Sequence, residues 1–221
     1  MPRTARSLRR GWCYHDVTRA NGRVTLLSGP GDYLSFLGLV VEAQSRLPVD
    51  LLGACLMPNH LHLVIRPAED RDLSRWMHWL LTTHVRRFHG RRDSSGRVWQ
   101  GRFKAFPIEQ DGHLVTVLRY VERNALRAGL VRQAEHWPWG SLAWRLGSGP
   151  SPGLAELPVP LPVDWSDYVN QPQTPAELAS LRACAQREMP FGSAAWVARA
   201  AEELALGGEN RPRGRPRKKG K

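Results

Sequence analysis

Two short apolar runs near the middle of the chain constrain the fold more than any other sequence feature. Residues 51–56 (LLGACL) and 61–65 (LHLVI) have the length of strands, and Met57-Pro58-Asn59 separates them. A proline at such a boundary breaks regular structure and favours a turn. The sequence therefore predicts two strands that are joined by this tripeptide.

The segments around these strands alternate between strand and helix periodicity. This order predicts a small α+β domain in which helices pack on an antiparallel sheet. The predicted elements are a strand at 11–18 with Trp12, Tyr14 and Asp16 toward one face, a helix at 32–47, the strands at 51–56 and 61–65, a helix at 73–89, a strand region at 98–108 that Gly101 interrupts, and a helix at 111–128 that stops at Gly129.

The rest of the chain differs in composition. Residues 147–175 are rich in Pro and Gly and predict an irregular wrap or linker, and residues 176–206 predict one or two small helices. The last fifteen residues are polar and basic and predict disorder. We therefore expect a domain at 1–146, an extension at 147–206 and a basic tail at 207–221.

Positive charge is concentrated rather than spread evenly. The 221 residues carry 32 Lys and Arg against 20 Asp and Glu, a net charge of +12. Residues 71–104 contain nine basic and two acidic side chains, and residues 207–221 contain seven and one. Such clusters favour a polyanionic partner, nucleic acid before an anionic membrane surface, although a charge run can also be a solvated face.

Several classes of protein are not supported by the sequence. No apolar run approaches the ~20 residues of a membrane helix, and no apolar stretch of a secretory signal follows the basic N-terminus. The three cysteines, Cys13, Cys55 and Cys184, are scattered and odd in number, so they suggest neither a disulfide framework nor a zinc site. We expect a cytoplasmic, nucleoid-associated protein without a membrane partner.

The most specific local feature is His60-Leu61-His62. Alternate residues of a strand face the same side, so both imidazoles project together while Leu61 points to the opposite, buried face. Two imidazoles on one face form half of a site for a divalent metal. The alternative is a pair of half-buried histidines held by hydrogen bonds.

A second candidate feature lies on the helix predicted at 111–128. At 3.6 residues per turn, Tyr120 and Asn124 lie one turn apart and can address the same point. A tyrosine hydroxyl is a possible nucleophile, and an asparagine oxygen is a possible metal ligand. The alternative is that Tyr120 fills the core edge and Asn124 caps a turn. The stripe that carries both holds His113, Thr116, Tyr120, Asn124 and Arg127.

Three segments in this order resemble a known family. They are MPNHLHLVIRP, VWQGRFKAFPIEQDGHLVTVLRYVERNALRAGLV and WPWGS. Together they are similar to the REP-associated tyrosine transposases, which belong to the single-tyrosine HUH transposases. The similarity runs from about Gly11 to Trp144.

The resemblance implies a role for four residues and a partner. His60 and His62 would bind Mg²⁺ or Mn²⁺, Asn124 would complete that site, and Tyr120 would attack a DNA phosphate. It also implies a ferredoxin-like fold and a substrate of single-stranded DNA beside a palindromic hairpin. A covalent 5′-phosphotyrosine would conserve the bond energy, which agrees with the absence of a GxxxxGK[ST] nucleotide loop.

One position departs from the family pattern. After the turn of the tyrosine helix the family often has Asn-Pro, whereas this chain has Asn124-Ala125. Alanine is a good helix former, so we expect the helix to run on smoothly through this point.

The basic clusters supply candidate DNA contacts. Arginine and lysine side chains could bind phosphates independently of sequence, and interleaved aromatic rings could stack on unpaired bases, although core packing is the alternative for these rings. The tail core Arg-Gly-Arg-Pro resembles an AT-hook, with a solubilising tail as the alternative. The candidate DNA-binding residues are Arg75, Arg86, Arg87, Arg91, Arg92, Arg97, Trp99, Arg102, Lys104, Arg213, Arg215 and Arg217.

These features favour a metal-dependent transposase or endonuclease that acts as a monomer or homodimer and needs no organic cofactor. Two alternatives stay open at this point. One is a domesticated hairpin-binding protein with little catalysis, and the other is a metal phosphohydrolase in which Tyr120 is structural.

Overall fold

The computed structural model describes residues 8–206 of the chain. Its centre is a four-stranded antiparallel sheet with the strand order β2-β3-β1-β4. The α+β class with a ferredoxin-like sheet is therefore confirmed. The strands are β1 (Cys13–Arg19), β2 (Val49–Met57), β3 (His60–Pro67) and β4 (Lys104–Ile108).

The described helices cover both faces of this sheet. They are α1 (Pro30–Arg46), α2 (Asp72–Arg92), α3 (Gly112–Glu122), α4 (Asn124–Arg127), α5 (Ser141–Arg145), α6 (Trp165–Asn170), α7 (Pro175–Arg187) and α8 (Ala194–Glu203).

The sheet separates two apolar cores. Tyr14, Leu61 and Leu63 belong to the core beneath α1 and α2, whereas Cys13 and Val64 belong to the core beneath α3 and the C-terminal extension. Because both faces are covered, β2 and β3 are buried almost throughout, including the polar His62. Within residues 8–206, no helix is long and apolar enough to cross a membrane.

Two predicted elements have different bounds in the structure. The strand predicted at 98–108 begins only at Lys104, because Gly101 adopts a φ of +70° that ends an extended run. The helix predicted at 111–128 does not run on smoothly: it stops at Glu122 and resumes at Asn124. Arg123, between them, has a ψ of −4°, and its guanidinium donates to the carbonyls of Val169 and Asn170.

Residues 147–206 pack against the domain instead of standing apart from it. Arg119 of α3 is buried and donates to the carbonyls of Tyr168 and Gln171, at 2.8 and 2.9 Å. The chain also contains α6, a helix that the Pro- and Gly-rich composition did not predict. The three-part division of the chain stays a prediction, because the basic tail lies outside the described residues.

The WPWGS segment lies along the free edge of β2. The Leu56 N–H donates to the Trp139 carbonyl at 2.9 Å, and the Trp137 indole donates to the Leu56 carbonyl at 3.0 Å. Ser141 Oγ accepts from the Ala54 N–H at 3.0 Å. This segment therefore covers an edge that would otherwise present unpaired backbone groups to other chains.

We predict opposite effects of alanine at two glycines. A Cβ on Gly53 would lie 2.6 Å from Leu118 Cδ2, because α3 approaches β2 closely there. Gly53→Ala should therefore lower the free energy of unfolding by ~1–3 kcal/mol through overpacking. Urea unfolding measures this change.

Gly38→Ala is the matched control for this prediction. Gly38 lies in the interior of α1, and a Cβ there would meet nothing within 4 Å. This substitution should raise the free energy of unfolding by ~0.5–1 kcal/mol, because alanine is the better helix residue. Equal effects at the two sites would contradict the close approach of α3 to β2.

Candidate active site

The structure brings the histidine pair and the tyrosine together. His60 and His62 lie on the face of β3 that α3 covers, with their ring centroids 5.0 Å apart. The Tyr120 ring lies 5.9 Å from that of His62. Tyr120 and His62 are 7% and 3% exposed, so the two side chains meet inside the protein.

A third histidine, which the sequence analysis missed, joins this cluster. His15 Nε2 lies 2.9 Å from His62 Nδ1, and the His15 ring lies 5.9 Å from that of Tyr120. His15 alternates with Tyr14 and Asp16 on β1 and therefore faces the other side of the sheet. That alternation was the available signal, but only the register of β1 against β3 places His15 beside His62.

Hydrogen bonds occupy the same ring nitrogen on both predicted metal ligands. His60 Nδ1 lies 2.7 Å from Asn59 Oδ1, and His62 Nδ1 bonds to His15. If these Nδ1 atoms carry the protons, Nε2 of each ring presents a lone pair. This is the tautomer in which a histidine coordinates an ion while a neighbour fixes its ring.

Burial keeps all three rings neutral at pH 7. Burial, together with the smaller effect of nearby arginines, lowers the pKa of His15 to about 3 and that of His60 to about 4. Burial, followed by the neighbouring histidines, lowers the pKa of His62 well below its ordinary value. Neutral imidazole is the form that binds metal ions.

Arg127 and Asn124 complete the surroundings of the tyrosine. The Arg127 guanidinium carbon lies 4.2 Å above the Tyr120 ring, and its Nη2 donates to Asn124 Oδ1 at 2.7 Å. Among the described residues, Asn124 Nδ2, Arg127 Nη1 and His15 Nδ1 are buried without a hydrogen-bond partner. Buried N–H groups left unpaired cost ~1–3 kcal/mol each, so they need an explanation.

These unpaired atoms fit an anionic oxygen ligand. They belong to three side chains that lie around Tyr120 and point to no acceptor in the described part of the chain. A phosphate group offers acceptor oxygens to such donors. The two free Nε2 atoms and the second lone pair of Asn124 Oδ1 also fit a divalent cation, which would have open positions for those oxygens.

A second group could also hold an ion. Ligand atoms of Glu109, Asp111 and His113 lie within 4.8 Å of one another. However, Glu109 accepts from the Ser193 N–H at 2.6 Å, and Asp111 caps α3. His113 precedes Tyr120 by two helical turns, roughly 10 Å along the axis, so an ion held there would not touch the tyrosine.

Most candidate DNA-binding residues lie at the surface, but several are engaged by acids. Arg87 pairs with Glu42 at 3.1 Å, and Arg92 pairs with Asp32 at 3.4 Å. Arg86 and Arg97 are exposed and have no ion pair within residues 8–206. The remaining exposed candidates of this segment are Arg75, Arg91 and Arg102, and Lys104 is half-buried with its ammonium on the Gln186 carbonyl.

The interpretation of Trp99 as an exposed stacking ring is wrong. Trp99 is 7% exposed and packs against His84 and Phe36 beneath α2. The residues that lead to β4 fold back onto β1, with the Gln100 N–H on the Arg19 carbonyl, and this carries the indole inward. Arg213, Arg215 and Arg217 lie outside the described residues.

The antiparallel sheet carries two imidazoles, and the helix opposite them carries a tyrosine. This arrangement agrees with the transposase family that the sequence resembles. A comparison with protein families agrees. The family described as Transposase IS200 like matches residues 10–124, just over half of the chain. The protein therefore belongs to the IS200-like transposases.

Individual relatives point the same way. A Haemophilus influenzae protein that carries the name REP-associated tyrosine transposase is 26% identical over 121 residues, which cover 50% of this chain and 69% of that protein. A solved REP-associated tyrosine transposase bound to a REP hairpin shares the fold, with a TM-score of 0.56 at 19% identity over 71% of this chain and 93% of that one.

We predict that acid destabilises the protein through these buried imidazoles. Between about pH 6.5 and pH 4, the unfolded chain binds protons that the folded His15 and His60 do not. The free energy of unfolding should therefore fall as pH falls, by at most ~1.4 kcal/mol per pH unit for each such group. Urea unfolding across this range measures the slope.

His15→Asn should make this slope shallower, whereas His136→Asn, at an exposed position, should not change it. A slope that is the same in His15→Asn and in the unmodified protein would show that His15 is not buried as a neutral ring.

Proposed function

We propose that this protein is a metal-dependent transposase or endonuclease of single-stranded DNA, which cleaves and rejoins strands beside palindromic, REP-like hairpins through a 5′-phosphotyrosine. The observation that carries the proposal is the packing of Tyr120 against His62, whose ring also adjoins that of His60. The unpaired donors around the ring support it, because they suit the oxygens of a phosphodiester.

The names of its relatives support the choice of substrate. One relative is named for REP association, and the other was solved with a REP hairpin. Membership of the IS200-like family supports strand transfer rather than simple hydrolysis. Work on chromosomal DNA would place the protein with the nucleoid in the cytoplasm.

The proposed chemical step is an in-line transesterification. Tyr120 Oη forms a bond to phosphorus, the bond from phosphorus to the 3′ oxygen breaks, and the phenolic proton is balanced by the proton that the 3′ hydroxyl gains. The reverse step rejoins a strand. Because the phosphotyrosine stores the bond energy, no nucleotide cofactor is required.

His60, His62 and Asn124 would hold Mg²⁺ or Mn²⁺, which supplies charge neutralisation and orientation of the scissile phosphate when bound. His15 positions His62: where His62 carries its proton on Nδ1, His15 Nε2 accepts it, and His62 Nε2 would face the ion. Arg127 has two roles, holding Asn124 and placing positive charge over the phenol ring.

We predict a covalent adduct that depends on Tyr120. A 3′-labelled stem-loop oligonucleotide with an unpaired flank is incubated with the full chain and Mn²⁺ and is run on a denaturing gel, because a 5′-phosphotyrosine joins the protein to the fragment that carries the 3′ end. The unmodified protein should shift the label, Tyr120→Phe should abolish the shift, and His62→Ala should lower the rate of adduct formation at least ~100-fold.

Tyr33→Phe is the matched control for this assay, because Tyr33 is also buried but lies in the other core. It should form the adduct at the unmodified rate. Binding without an adduct would favour a domesticated hairpin-binding protein, a function that agrees with the deep burial of Tyr120. Metal-dependent release without an adduct would favour a phosphohydrolase.

We also predict that the exposed face of α2 that carries Arg86 and Arg87 contributes salt-dependent DNA binding. Replacing Arg86 and Arg87 by alanine should weaken binding and make the slope of log K against log salt shallower by ~1–2, since each phosphate contact contributes about 0.7–0.9. Arg182→Ala, on α7 outside the cluster, serves as the control. An unchanged slope in the double variant would remove these residues from the interface.

A further inference from the structure

A cavity of about 530 Å³ lies outside the candidate active site, between α2 and residues 96–103, on the opposite face of the sheet. That volume lies within the ~300–1,000 Å³ range of small-ligand sites. Met77, Leu81 and Phe103 supply apolar walls.

We propose that this cavity binds one unpaired nucleobase of the DNA strand beside the hairpin. The inference rests on the proposed function, because it identifies where the single-stranded flank is held. A nucleobase is flat, largely apolar on its faces and polar at its edges. Within a DNA strand, a phosphate lies on each side of the sugar that carries the base.

The charges at the mouth suit those phosphates. Arg97 and Arg102 line the cavity and are exposed, and His78 lies on its helix side. They belong to the segment 71–104, whose net charge is +7. Positive charge beside the cavity complements the phosphates of a nucleotide, whereas an apolar protein segment has no charge for it to complement.

An unpaired donor lies in the wall. Trp99 lines the cavity, and its Nε1 is buried without an acceptor among residues 8–206. A buried indole N–H normally has a partner. His84, whose ring lies 5.2 Å from the Trp99 indole, helps to fix its orientation. The carbonyl or ring nitrogen of a base edge is an acceptor of the required kind.

The cavity is connected to the active site through the end of β1. The Gln100 N–H, next to Trp99, donates to the Arg19 carbonyl at 2.7 Å. Arg19 is in turn the register partner of His60 on β3. The cavity segment and the imidazole pair are therefore about two strand spacings apart, roughly 10 Å, so one DNA strand can reach both.

The test combines removal of single bases from the DNA flank with substitutions that fill the cavity. In a Tyr120→Phe background, which keeps the DNA intact, the stem-loop flank is scanned with abasic sugars that remove one base and keep its phosphates. One position should lose roughly 5- to 100-fold in affinity. Thr82→Phe, from a half-buried residue that lines the cavity, should lose a similar factor on intact DNA and nothing more at that position.

Thr83→Phe is the matched control, because Thr83 is half-buried on the same helix but does not line the cavity. It should bind intact DNA normally and keep the full abasic penalty. If Thr82→Phe does not fold by circular dichroism, Ser74→Phe fills the cavity from another turn of α2 and replaces it.

The outcomes separate the cavity from the chemistry. A position-specific effect that Thr82→Phe removes supports the cavity even if the Tyr120 protein forms no adduct, a result that rejects the proposed nuclease alone. An adduct together with equal abasic penalties in Thr82→Phe and Thr83→Phe keeps the nuclease and overturns the cavity. A change only in sedimentation would assign the cavity to contact between two copies and would also overturn it.

Discussion

The buried carboxylate of Glu122 fixes the tyrosine helix to the rest of the molecule. Its Oε1 accepts from Ser141 Oγ at 2.6 Å and from Arg145 Nε at 3.0 Å, and its Oε2 accepts from the Trp165 indole at 2.7 Å. A charge that is 2% exposed is tolerated only when it is paired and hydrogen-bonded in this way. Because Glu122 follows Tyr120 by two residues, this network also sets the position of the phenol against the sheet.

Local periodicity predicts much of the candidate site, but register determines the rest. Alternation along β3 places His60 and His62 on one face, and the helical repeat places Tyr120 and Asn124 one turn apart. His15 could not be assigned in the same way, because its place beside His62 depends on how two strands far apart in sequence pair. Trp99 was misjudged for a related reason: its segment folds back onto β1, and charge patterning contains no information about that contact.

The amino-acid composition also did not predict how the C-terminal extension packs. Arg119 and Arg123 attach it by donating to backbone carbonyls around α6. Because every residue has a backbone carbonyl, the sequence does not indicate which carbonyls these arginines contact. The same contacts interrupt the tyrosine helix just before Asn124. The extension therefore packs against α3, and Tyr120 and Asn124 are only 7% and 4% exposed.

That enclosure and the unpaired donors around Tyr120 have one physical explanation. A polar group left unpaired inside a protein lowers stability, and a ligand that accepts its hydrogen bond removes that cost. His15, Asn124 and Arg127 lie on one face of the sheet, and Trp99 lies on the other, each with a buried unpaired nitrogen. The end of β1 connects the two faces through Arg19. A single strand that passes around this end would pair donors on both faces, so that binding the flank and positioning the scissile phosphate become one event.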